Sequence, residues 1–160
     1  MKKLFIALSL VISLQSVQAQ KSVYSEYPDR LFSQGKEMFL GKNYVGTIHT
    51  LEKFQKQSKD AQLLQEAEYM IVSSRYYRGD SSSDQLLKDY LAKYPSTQHR
   101  NQIAFFTGST HFAKKEWNLA LFWLNQADPF YLRGTEQDDY LYRSAYANLQ
   151  EGNKAVARKQ

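Results

Sequence analysis

Aromatic residues return along this chain at a nearly fixed step. Phe32, Tyr69, Phe105 and Tyr142 form one series, and Phe39, Tyr76, Phe112 and Leu149 a second, each advancing by 37, 36 and 37 residues. A step of that length marks stacked supersecondary units, because a unit that cannot bury its apolar face alone must bury it on the next. Between the two series each unit carries a slim residue, Gly35, Val72, Gly108 or Ala145, three places after the first aromatic and four before the second. Offsets of three, four and seven fall on one helical face, so every unit opens with a helix that approaches a neighbour closely. The pattern predicts an all-α repeat protein of paired helices, an architecture that serves binding more than catalysis.

The start of the chain belongs to a different class of segment. Lys2 and Lys3 precede an apolar run over residues 4–14, and Val17-Gln18-Ala19 has the small-x-small pattern of a cleavage site. This predicts a secretory signal peptide over residues 1–19. The run of eleven residues is too short for a bilayer core of about 30 Å. The mature chain then starts at Gln20, with residues 20–28 a flexible lead-in and no transmembrane span. The sequence holds no cysteine, which removes the lipid-acceptor residue of a lipoprotein, every disulfide and every thiolate metal site. The expected location is the periplasm or cell envelope, without a lipid. The formal net charge of +5 drops by two once Lys2 and Lys3 are removed. The remaining cations are scattered among acids rather than set in a stripe that tracks phosphates, so no nucleic-acid partner is expected.

Helix boundaries follow from the turn chemistry. The first unit reads as helices over 29–40 and 45–56, with Leu51 and Phe54 on the apolar side of the second. The second unit reads as 61–78 and 83–93, stopped by Pro95, with Ser81 and Asp84 spaced as a capping box. The third runs from after Ser96-Thr97 to Lys114, then over 117–126, and Asp128-Pro129 breaks it. The fourth starts at Thr135, reaches Gln150, and has only begun its second helix at Lys154. Gly41-Lys42-Asn43, Gly79-Asp80 and Gly152-Asn153 supply the Gly and Asn that terminate helices in a left-handed conformation. A repeat stack ends on a helix with one polar face. Residues 29–160 therefore read as three full units and a truncated fourth, continuing into a longer protein.

The third unit places Phe105, Gly108, Phe112, Trp117, Ala120, Leu124 and Ala127 in the order aromatic, glycine, aromatic, aromatic, alanine, large apolar, alanine. That order resembles the tetratricopeptide repeat (TPR) family. The first unit follows it with Phe32, Gly35, Phe39, Tyr44, Thr47 and Leu51; the second departs, with Val72 for glycine and a second helix one residue short. Tyr76-Tyr77-Arg78-Gly79-Asp80 and Tyr90-Leu91-Ala92-Lys93-Tyr94-Pro95-Ser96-Thr97 are similar to the BamD/YbgF-like variant of bacterial envelope proteins, in which a Tyr-Pro-x-Ser/Thr step joins helix pairs. The missing lipid-acceptor cysteine separates this chain from the lipoproteins with such repeats. The resemblance implies a right-handed α-α superhelix whose first helices line a concave groove. In the family that groove is faced by the positions held here by Phe32, Phe39, Tyr69, Tyr76, Phe105, Phe112 and Tyr142. An extended peptide or amphipathic helix of another envelope protein suits such a groove.

Aromatics at helical spacing also serve packing, and Tyr77, Tyr140 and Tyr146 fall off the packing stripe, which makes them candidates for exposed contact. Glu52 lies three places after His49 but no other donor completes a site there, and His99 and His111 have no second ligand at i+3 or i+4, so no metal site is expected. Glu136, Asp138 and Asp139 lie in a first helical turn, where acids offset the dipole. Nucleophile-elbow, phosphate-loop and zincin motifs are absent from the sequence. The expectation is a scaffold that binds an envelope protein, with no catalytic residue and no cofactor; the sequence leaves the oligomeric state open. Two alternatives stay beside it. One is a glycan-binding accessory protein of an outer-membrane uptake system, with Trp123 as a stacking platform beside Trp117. The other is the regulatory front of a larger protein.

Overall fold

Four times along the chain a helix ends in the same pair of backbone hydrogen bonds. The structure, a computed structural model, describes residues 28–158, and every regular element among them is helical. In order these are α1 (28–40), α2 (Tyr44–Gln57), α3 (Ala61–Tyr77), α4 (Ser83–Lys93), α5 (Arg100–Ala113), α6 (Trp117–Leu124), a 3₁₀ turn (Pro129–Tyr131), α7 (Thr135–Gln150) and α8 (Lys154–Ala157). After α1 the amides of Lys42 and Asn43 donate to the carbonyls of Phe39 and Met38. After α3 those of Gly79 and Asp80 reach Tyr76 and Arg75. After α5, Lys115 and Glu116 reach Phe112 and His111, and after α7, Gly152 and Asn153 reach Leu149 and Asn148. Each pair is a Schellman motif, which satisfies carbonyls the helix end leaves orphaned. The residue at its centre takes a positive φ in all four: Lys42 (58°), Gly79 (73°), Lys115 (61°) and Gly152 (80°). The step between them is again 37, 36 and 37 residues.

Gly79 and Gly152 hold the left-handed position expected of them. In the first hairpin that position falls on Lys42 rather than Gly41 or Asn43, and in the third on Lys115. The closure of the helix pair dictates the conformation there, and the residue type adapts to it. The observed helices match the expected ones within three residues at each end, and α4 and α7 match at both ends. The capping box is corrected: Ser82, not Ser81, precedes α4 and makes no side-chain cap bond. Asp84 is instead drawn to cations and an imidazole outside its own backbone turn. The segment after Asp128 is a 3₁₀ turn, capped by the Asp128 carboxylate on the Phe130 amide. The signal peptide and residues 20–27 lie outside the described residues, while residue 28 is already helical.

The chain divides inside α3 into two compact lobes, one ending at Ala67 and the other beginning at Glu68. In the first lobe α1 and α2 form an antiparallel hairpin. Phe32 tilts against Phe54 with ring centroids 5.3 Å apart, and Phe39 meets Tyr44 edge-on at 6.4 Å. Gly35 permits this approach, since a Cβ built there would overlap Cδ2 of the fully buried Leu51. Asn43 caps α2 through the Gly46 amide, and Asp60 caps α3 through the amides of Gln62 and Leu63.

The second lobe repeats the construction. Tyr69 of α3 packs on Tyr90 of α4, and Val72 and Leu87 share the same buried cluster. In the α5/α6 hairpin a Cβ on Gly108 lies 2.8 Å from Leu124 Cγ, and Phe112 meets Trp117 at 5.3 Å. Ile103, Phe105, Phe106, Leu124 and Tyr140 complete the core. Each such side chain contributes about 1.5–3 kcal/mol by leaving water. The Tyr-Pro step is fixed by Tyr90 and Thr97, whose buried hydroxyls share a hydrogen bond of 3.0 Å.

Candidate functional site

Among the described residues three neighbourhoods gather polar, aromatic or charged side chains beyond what packing requires. The first spans α3, α5 and α7. Glu136 Oε1 accepts hydrogen bonds from the Tyr77 hydroxyl and the Gln102 amide, both at 2.7 Å. One carboxylate in the first turn of α7 thereby ties three helices, in addition to the dipole role its position predicts. Nearby, the Tyr69 ring lies flat on His99 at 3.5 Å. Burial pushes the Tyr69 hydroxyl up to about 12, and the Glu136 charge adds to the effect. At the other edge of α4, Glu68 accepts from Lys93 and Tyr94. The bond from Lys93 to Glu68 raises the lysine, and burial raises Tyr94.

The second neighbourhood is aromatic. Phe112 and Trp117 meet Tyr146 edge-on at 5.7 and 5.6 Å, and Tyr142 closes the group at 6.1 Å from Phe112. Arg143, paired with Asp139, lays its guanidinium over Phe105 and Phe112. Beside this cluster a pocket of about 380 Å³ opens between α7 and α8, lined by Tyr142, Ala145, Tyr146, Leu149, Lys154, Ala157 and Arg158.

The third is a clamp on the buried ring of His111. His111 turns Nδ1 to Glu116 at 2.5 Å and Nε2 toward Asp84 at 3.5 Å, joining α4, α5 and the turn before α6. Burial opposes the charged form of Asp84. Lys88, His111 and Lys114 outweigh it and hold the carboxyl below the usual carboxylate range. The two carboxylates face opposite nitrogens of one ring and so do not converge on a point. No set of three His, Asp or Glu residues among those described could hold a metal ion.

Against this geometry the expected groove residues separate. Phe105 is 2% exposed and belongs to the core. Phe32, Phe39, Tyr69, Tyr76 and Phe112 are half-buried, each in ring contact; Tyr76 stacks on Phe106 at 4.1 Å. Tyr77, Tyr142 and Tyr146 are exposed, at 42%, 61% and 37%. Phe112, Tyr142 and Tyr146 come together at one place, while Phe32 and Phe39 belong to the first lobe. Tyr140, expected to be exposed, is instead buried at 7% because it faces the core cluster from α7. Trp123 is half-buried and packs on the same cluster. Gln102, Arg143 and the acceptor role of Glu136 were missed by sequence reasoning. Gln102 and Glu136 become partners only when α5 and α7 are side by side, and so do Arg143 and the rings of Phe105 and Phe112. Glu116 stands five residues after His111, off the i+3 and i+4 offsets of a helix, and only the turn between α5 and α6 brings it to the ring. No helix among the described residues is long and apolar enough to cross a membrane. No protein-family model, curated protein or solved structure matches the chain.

Proposed function

We propose that this chain is an exported TPR-like scaffold that holds another envelope protein against the first helices of its repeats. The observation that carries the reading is the row of rings on those helices that packs on one side and stays exposed on the other: Tyr77 on α3, and Tyr142 and Tyr146 on α7 above Phe112. Tyrosines of this kind offer large contact area and a polar tip at low entropic cost. The four identical hairpin closures and the glycine–leucine contacts support stacked TPR-type units, and a right-handed superhelix with a concave groove follows if the stack continues at a constant angle. The charged amino terminus and apolar run support export.

The test is affinity capture of the tagged chain from cross-linked cell envelopes, run beside the double variant Tyr77→Ala/Tyr142→Ala. One protein recovered in near-equal amount with the parent and lost with the variant supports a scaffold. Equal recovery with both refutes the assignment of this face. The glycan-binding alternative keeps the exposed rings of Phe130 and Tyr131, but Trp123, its intended platform, packs against the core. Calorimetric titration with oligosaccharides separates the two readings.

A further inference from the structure

Laid over one another, the four hairpins differ most at their tips. The position of Leu40, last in α1, is held by Tyr77, Ala113 and Gln150 in the later hairpins, and that of Val45, second in α2, by Ser82, Asn118 and Ala155. Only the first tip carries large aliphatic side chains at both places. They reach into water on either side of the turn over residues 41–43, Leu40 at 70% exposure and Val45 at 63%. Neither belongs to the packed face of the hairpin, to which α2 contributes Thr47, Ile48, Leu51 and Phe54. Two aliphatic groups left in water at one turn mark a contact surface.

The rest of the outer face of α2 is cationic. At about 100° per residue, Val45, His49, Lys53 and Lys56 fall within an arc of about 80°. That arc lies opposite the buried residues, and all four side chains are exposed. The first turn of α2 holds no acid to offset the positive end of its dipole, and Lys42 stands exposed just before it. The one acid of α2, Glu52, is half-buried. Neither Lys53 nor Lys56 forms an ion pair among the described residues. The helix thus presents an aliphatic end followed by unpaired positive charge.

We infer that the first hairpin docks on an anionic lipid surface, with α2 lying in its plane. Leu40 and Val45 enter the boundary between headgroups and acyl chains, and Lys42, Lys53 and Lys56 meet the phosphates. Charge and shape select this occupant. Like charges along one helix face complement an array of phosphates, and a protruding aliphatic tip enters a medium that yields to it, where a protein would need a matching pocket. This face belongs wholly to the first lobe, whereas the exposed rings of the scaffold reading lie in the second.

The test is co-sedimentation of the chain from Gln20 onward, without the proposed signal peptide, with vesicles of phosphatidylcholine alone or mixed equally with phosphatidylglycerol. Binding to the mixed vesicles is expected, and it should fall steeply with added salt. Lys53→Gln/Lys56→Gln should weaken it about tenfold or more. Leu40→Ser/Val45→Ser should weaken it by a similar factor. Leu119→Ser/Phe122→Ser, which alters another exposed apolar pair, on α6, should bind as the parent does. All six side chains are exposed, so circular dichroism should be unchanged in each variant. The sequence has no cysteine, so an environment-sensitive dye can be placed at Val45→Cys alone. Its emission should shift to the blue on the mixed vesicles, and that of a dye at Asn125→Cys should not. The inference is overturned if the chain binds neither vesicle, if it binds both alike, or if the lysine and tip variants bind as the parent does. Equal loss with the α6 variant also overturns it. So does capture of an acidic protein that depends on Lys53 and Lys56 without vesicle binding, because the occupant is then a protein.

Discussion

Replacing Gly108 by alanine sets two known effects against each other. An alanine in a helix interior is favoured over glycine by about 1 kcal/mol. The added methyl, however, would sit 2.8 Å from Leu124 Cγ and 3.0 Å from the Leu124 backbone nitrogen, where carbon atoms prefer about 3.5–4.0 Å. Leu124 is completely buried and cannot swing aside, and the nitrogen moves only if α6 moves. Overpacking of this kind costs about 1–3 kcal/mol. The net expectation is a loss of about 1 kcal/mol, or about 4 °C in Tm for a chain of this size. Urea unfolding followed by far-UV circular dichroism measures it, and Leu124→Ala supplies the control. That variant alone should lose about 2–5 kcal/mol by opening a cavity. In its background Gly108→Ala meets only the backbone nitrogen of residue 124 at 3.0 Å and should be nearly neutral, giving a coupling energy of about 1 kcal/mol. A rise in Tm on making Gly108→Ala in the parent chain refutes the close contact, and with it the equivalence of the hairpins.

Other expectations follow from single features. Gly79 has a φ of 73° and open space around it, so Gly79→Ala should cost about 1 kcal/mol from the backbone alone, measurable by thermal melting. Lys115→Gly, at a φ of 61°, should be neutral to stabilising by up to about 1 kcal/mol, and a loss would show that the lysine side chain is needed at the turn. Asp84 is held below the usual carboxylate range, so the unfolded chain takes up its proton before the folded one does. The stability it contributes is present above the unfolded value of about 3.9 and is lost as pH falls through the lower folded value. Asp84→Asn should lower stability at neutral pH by about 1 kcal/mol and flatten the acid limb of a stability–pH curve, and an unchanged limb counts against the clamp. Tyr77→Phe removes one of two donors to Glu136 and should cost about 0.5–1 kcal/mol in the same unfolding assay.

The helices and their pairing were legible because they rest on local rules. Glycine, asparagine and proline marked the helix ends, and the spacing of Phe32, Gly35 and Phe39 gave the buried face. The left-handed turns at Lys42 and Lys115 were not legible, since lysine carries no propensity for that conformation and adopts it only because the hairpin has closed. The site was read less well for a related reason. Periodicity located the rings but could not say which side of a ring faces water: Phe105 went to the core and Tyr142 stayed outside at the same position of successive repeats. Glu136 looked like a helix-start acid because its donors, Tyr77 and Gln102, are 59 and 34 residues away in sequence.

The hairpin contacts also bear on how fast this chain finds its fold. Those that close the first, second and third helix pairs join residues 32 and 54, 69 and 90, and 108 and 124, none separated by more than 22 positions. Loop-closure entropy rises only with the logarithm of length, so such contacts form at little cost. Helical proteins dominated by local contacts fold in microseconds to milliseconds. Each hairpin can therefore close as soon as its second helix is available, leaving the docking of one hairpin on the next as the slower step.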